Sequence, residues 1–174
     1  MLSRIRRIVA AAAILLVVLI AVPLSSFAQA QAPDFSLRAV DGPPVTSESL
    51  RGEVVVLAFG ASWLPLTRNQ MEGLKKLADQ YAARGVAVYW ISTESDSAKS
   101  KNFVSDEELR ELGRKYKISV LRDPEGPISR RMGVDQLPAT VIINKQGQIA
   151  AALGGLDPAA DLAKQLAERL DKIL

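Results

Sequence analysis

The run Val54–Phe59, VVVLAF, contains no polar side chain and is rich in β-branched residues. Alternating apolar and polar residues would mark a strand with one wet face. An unbroken apolar run of this length marks a strand covered on both faces, which places it inside a layered sheet. A second run of similar character, Val86–Ile91, is its expected neighbour. Between them, Met71, Leu74, Leu77, Ala78 and Tyr81 fall at three- and four-residue spacing and predict a helix over about residues 67–84, closed by Gly85. The chain is therefore built around a β-α-β unit.

The flanking segments add to this unit. Asp41-Gly42 and Leu50-Arg51-Gly52, which follow residues 32–37, are turn signals before the first core strand. A polar loop spans Ser92–Asn102. Ser105-Asp106-Glu107-Glu108 then forms a capping box for a helix that buries Leu109, Leu112 and Tyr116. Residues 118–121 predict a short strand, Asp123-Pro124-Glu125-Gly126 a turn, and a short helix ends at Gly133. Residues 138–144 and 148–153 predict a hairpin around Lys145-Gln146-Gly147. Asp157-Pro158 is expected to open the last helix, with Leu162, Leu166, Leu170 and Ile173 as its core stripe. No repeat and no linker suggests a second domain.

Composition removes most catalytic options. The 174 residues include no cysteine and no histidine. Thiolate nucleophiles, imidazole bases and the usual Cys/His metal sites are excluded. No cofactor or metal is called for. Residues 1–30 carry Arg4, Arg6 and Arg7, then the apolar run Ile8–Leu24, then Ala28-Gln29-Ala30. That order predicts an export signal, or a membrane anchor through residues 8–24, and a site of action in the periplasm or on the extracytoplasmic face. Removing those three of the 22 basic residues leaves 19 against 19 acidic ones. The remainder is formally neutral, so no nucleic-acid partner is indicated.

The segment Phe59-Gly60-Ala61-Ser62-Trp63-Leu64-Pro65-Leu66-Thr67-Arg68 resembles the active-site stretch of thioredoxin-like redoxins, F-W-A-x-W-C-x-x-C-R. In Gly133-Val134-Asp135-Gln136-Leu137-Pro138-Ala139-Thr140, Pro138 matches that family's cis-proline loop. With the element order, residues 32–174 resemble the exported TlpA/ResA-type branch of the AhpC/TSA-redoxin superfamily. The resemblance implies an α/β thioredoxin fold: a central mixed sheet flanked by helices, with an N-terminal hairpin and an inserted strand–helix unit.

The resemblance also places the family's two cysteines at Leu64 and Thr67, and a buried acid that many thioredoxins carry at Ala58. In the family a thiolate at a helix N-terminus attacks a partner disulfide and the second cysteine resolves the product. Leu64 can do neither, and no imidazole activates the Thr67 hydroxyl. The expected catalytic set is therefore empty. Backbone pairing of the residue before the cis-proline with an extended partner segment needs no thiol. Trp63, Leu64, Pro65, Leu66, Leu137 and Pro138 are accordingly the candidate peptide-binding residues, for a protein or peptide partner in the cell envelope.

Other readings stand beside this one. Trp63 can pack over the helix start, Leu64 and Leu66 can fill gaps, and Pro138 can serve folding. Glu94, Asp96 and Glu107-Glu108 are read as a solvated loop and a capped helix rather than as acid–base catalysts, and Arg130-Arg131 as a surface pair. At the level of function, the alternatives to a redox-inactive binding module are a thiol–disulfide oxidoreductase or antioxidant redoxin by descent, and a purely structural domain.

Overall fold

The computed structural model describes residues 30–174. The expected signal or anchor in residues 1–29 lies outside them. Seven strands form one mixed sheet, ordered β2-β1-β5-β4-β3-β6-β7. They are β1 (Ser36–Ala39), β2 (Val45–Thr46), β3 (Val54–Gly60), β4 (Val86–Ser92), β5 (Ser119–Arg122), β6 (Ala139–Ile143) and β7 (Ile149–Gly154). The helices are α1 (Thr67–Tyr81), α2 (Asp106–Tyr116), α3 (Pro127–Arg131) and α4 (Leu162–Leu170).

Every residue of β3 is buried, as its composition demands. β3 runs parallel to β4, with Val54 opposite Val86, and antiparallel to β6, with Leu57 opposite Val141. Alternate side chains of β3 enter two cores. Val54, Val56 and Ala58 meet Met71, Leu74 and Leu77 of α1 and Leu166 and Leu170 of α4. Val55, Leu57 and Phe59 meet Phe35, Leu37, Ile91 and Leu121 on the other face. The β1–β2 hairpin pairs Ser36 with Thr46, and α2 with β5 forms the inserted helix–strand unit.

Local signals explain the helix ends. Ser105 caps α2 reciprocally with Glu108, and Gly85, at φ 72°, ends the short 3-10 turn that follows α1. The last helix begins later than Asp157-Pro158 suggests. Asp157 instead closes a turn, accepting the Ala159 amide at 2.9 Å, and Asp161 caps α4 through the Lys164 amide at 3.2 Å. Both aspartates are competent caps. Only Asp161 stands directly before Leu162, the first residue to reach the core. Ile173 packs against that core from beyond the helix end. Among the described residues no helix is long and apolar enough to cross a membrane.

Candidate functional site

The site lies where β3 ends and α1 begins. Ala61–Leu66 forms a double turn: the Leu64 amide donates to Ala61 O at 3.1 Å, and the Thr67 amide to Leu64 O at 3.0 Å. Positions 64 and 67 are thus one turn apart at the N-terminus of a 15-residue helix. No thiol occupies either position. The Thr67 side chain is buried, and its hydroxyl donates to Ala61 O at 2.5 Å, so it is committed to holding the turn. Ala58 is wholly buried in β3 and brings no carboxylate.

Leu137-Pro138 lies opposite this turn and leads into β6 through a cis peptide bond. Among the described residues no group bonds the Leu137 amide or carbonyl, since ladder pairing begins at Ala139. Below the surface Gln70 ties the two sides together. Its side-chain amide donates to Phe59 O at 3.3 Å and Ala139 O at 3.2 Å, and its carbonyl accepts the Trp90 indole N–H at 2.9 Å. Gln70 is 1% exposed, so these bonds are not shared with water.

Of the candidate binding residues, the structure brings Trp63, Leu64 and Leu137 to one groove of 480 Å³. Pro65 is exposed and Leu66 half-buried on the same turn, and Pro138, next to Leu137, is buried. Trp63 does not pack down over the helix start. It stands 65% exposed, with its indole N–H donating to Asn102 Oδ1 at 2.9 Å. On its far side lies a second groove of 500 Å³, which Ser62, Glu94 and Phe103 help to line. Trp63 is the ridge between the two. The large apolar side chains exposed among the described residues are Trp63, Phe103 and Leu137, and all three border these grooves.

Glu94 corrects the reading of Ser92–Asn102 as a solvated loop. It is 1% exposed, and its carboxylate accepts the Ser62 amide and hydroxyl, each at 2.8 Å, and the Ser92 hydroxyl at 3.0 Å. Asp96 is exposed, as expected. Glu107 pairs with Arg110 and Arg114 on the surface, and Ser105 holds the Glu108 carboxyl below its usual range. Arg130 and Arg131 are both exposed. Arg122, 2% exposed, donates to Val104 O at 3.1 Å, Ser95 O at 3.0 Å and Asp106 at 2.7 Å. It thereby clamps the loop that carries Glu94, Asn102 and Phe103. The sequence signal for that loop was only its polarity, which says nothing of partners 30 residues away.

No residue of this site holds a thiol, an imidazole or a metal-binding cluster among the described residues. What the arrangement offers is shape, exposed apolar surface and unpaired main chain.

The AhpC/TSA family profile matches residues 28–152. The thiol-disulfide oxidoreductase ResA of Bacillus thuringiensis is 27% identical over 143 residues, covering 82% of this chain and 76% of that one. A crystal structure of a putative thiol:disulfide interchange protein DsbE from Chlorobium tepidum aligns with TM-score 0.69 at 24% identity, over 83% of this chain and 96% of that one. A secreted disulfide oxidoreductase of Mycobacterium tuberculosis aligns with TM-score 0.63 at 23% identity, over 79% and 95%. The fold is that of the thioredoxin-like proteins, and a match across most of its length places this chain in the AhpC/TSA family.

Proposed function

We propose that this protein is a redox-inactive thioredoxin-fold module that binds an extended protein segment across Trp63, Leu64 and Leu137. Disulfide exchange requires one thiolate to attack and a second to resolve, and the chain has no cysteine. The activity in the relatives' names is therefore not carried over. The observation that carries the reading is the unpaired Leu137 main chain beside exposed Trp63, with Leu137 itself 37% exposed.

The energetics favour apolar segments. An incoming strand gains main-chain hydrogen bonds at Leu137, each worth a net ~1 kcal/mol. That does not offset the ordering of a flexible peptide. The rest comes from apolar surface on Trp63, Leu64 and Leu137, at about 25 cal/mol per Å² removed from water. Exposed apolar surface of this kind marks interaction sites. The partner is an envelope protein or peptide. Export rests on the leader in residues 1–30 and accords with the secreted protein from M. tuberculosis.

The test is fluorescence polarisation of a labelled, cysteine-free apolar peptide on the purified domain. Binding that falls at least tenfold in Trp63→Ala and Leu137→Asp supports the reading. Unchanged binding in both folded variants, or no binding by the parent, overturns it. Self-association with no peptide binding would favour a structural role instead.

A further inference from the structure

A further cavity lies at the opposite end of β3, about 17 Å from the Trp63 grooves by strand rise between Val55 and Gly60. Its volume is 360 Å³, within the range of small-molecule sites, which begins at about 300 Å³. The lining includes Phe35, Leu50, Val55 and Ile143, which are between 1% and 8% exposed. The chain crosses one side of it: the Ala32 amide and the Gln31 side chain both donate to Gly147 O, at 3.0 and 2.9 Å.

Two turns bring charge to the lining. Arg51 sits in the turn before β3, and Lys145 in the turn between β6 and β7. Both are exposed, and neither makes an ion pair or side-chain hydrogen bond with any described residue. Six other described arginines have carboxylate partners, whereas Arg130, Arg131 and Arg169, like Arg51, have none. Asp34 is the one acidic residue of the lining, and its carboxylate accepts the Ser47 hydroxyl at 3.2 Å. The cavity thus joins an apolar floor to a net positive rim.

We infer that this cavity is a binding site for a small amphipathic carboxylate, with the alkyl tail on Leu50, Phe35 and Ile143 and the carboxylate between Arg51 and Lys145. An apolar tail alone would be satisfied by the floor. The two unpartnered cations select an anion at the head, and a guanidinium can meet a carboxylate with two parallel hydrogen bonds. A nucleotide would set its polar base and ribose against the apolar floor of Phe35, Leu50 and Ile143. The site shares no lining residue with the Trp63 groove, and nothing in this inference depends on peptide binding there.

The probe is decanoate, kept below its micelle threshold and titrated into the whole domain by calorimetry, with decanol as the uncharged control. Methyl resonances of Leu50 and Ile143 give the location. Saturable binding that shifts those methyls, and that weakens at least tenfold in Arg51→Glu/Lys145→Glu and for decanol, supports the site. Leu50→Trp should abolish it by filling the floor. The double charge variant alters only exposed side chains, so it remains informative if Leu50→Trp fails to fold. Absence of binding at millimolar decanoate, or equal binding by the charge variant, overturns the inference. Tighter binding of a peptide with an apolar C-terminal residue would reassign the site to peptide ends and overturn it too.

Discussion

Ser62 and Glu94 are joined twice, by the amide and the hydroxyl of the serine, each 2.8 Å from a different oxygen of the carboxylate. This pair fixes the start of the turn that carries Trp63 and Leu64 against the loop that carries Asn102 and Phe103. A buried carboxylate that accepts three protein donors is a structural anchor, and its removal leaves those donors without partners.

Glu94→Ala should therefore destabilise the fold by about 2–3 kcal/mol, because the Ser62 amide and the Ser62 and Ser92 hydroxyls lose their buried acceptor. Urea denaturation checks the magnitude. The Trp63 indole N–H resonance in the folded variant checks whether the turn has loosened, and an unchanged midpoint would remove Glu94 as an anchor.

Restoring the thiols tests how much of the ancestral site survives. The Leu64→Cys/Thr67→Cys variant would place one sulfur at the N-terminus of α1, where backbone N–H groups favour a thiolate. The Thr67 amide to Leu64 carbonyl bond shows that the spacing of one turn is already in place. Insulin-disulfide reduction with dithiothreitol should remain at background for the parent and rise in the variant. A parent above background would contradict redox inactivity; an inactive but folded variant would mean that the groove has diverged.

The parts of this arrangement legible in the sequence are those set by local pattern. Val54–Phe59 is buried because six apolar residues in a row leave a strand no wet face, and the Ser105–Glu108 box forms because both partners are three residues apart. The Leu64 and Thr67 positions followed from a motif, as did Leu137-Pro138. Glu94, Gln70 and Arg122 were not legible as site builders. Each is polar in a context that reads as surface, and each is buried only because partners arrive from distant elements: Ser62 for Glu94, Trp90 and Ala139 for Gln70, Val104 and Asp106 for Arg122. The start of α4 is not legible for a different reason. Two aspartates four residues apart are equally good caps, and only the packing of Leu162 decides between them.

Acid should weaken the clamp on the Phe103 loop. Asp106 accepts Arg38 at 2.6 Å and Arg122 at 2.7 Å, and Arg38 foremost, with Arg122, holds its carboxyl down at about 2 from an ordinary 3.8. A carboxyl depressed in the folded state stabilises fully above its unfolded value. That contribution is lost as pH falls from about 3.8 towards 2. Because Asp106 is 37% exposed, screening reduces it to about 1 kcal/mol. Stability measured from pH 5 to 2 should fall less steeply in Asp106→Asn than in the parent. Parallel curves would mean that other carboxylates carry the acid limb.

Gln70 supplies the sharpest test of the link beneath the site, because it joins the end of β3 to the start of β6 without touching solvent. Replacing it with leucine keeps a comparable apolar volume but leaves the Trp90 indole N–H and the Phe59 and Ala139 carbonyls without their side-chain partner. The loss should be about 2–4 kcal/mol, since a buried donor stranded in this way costs about 1–3 kcal/mol by itself. Gln70→Glu retains an acceptor for Trp90 but turns the other oxygen towards two carbonyls, so it should be tolerated only when protonated, with stability rising as pH falls. Gly60→Ala attacks the same contact from the other side, because an added Cβ would stand 2.9 Å from Gln70 Oε1 and 3.0 Å from the Trp90 ring. Gly60→Ala should cost less in a Gln70→Ala background than in the parent, because only the Trp90 contact then remains. Additive losses in that double-mutant cycle would show that the two residues act independently.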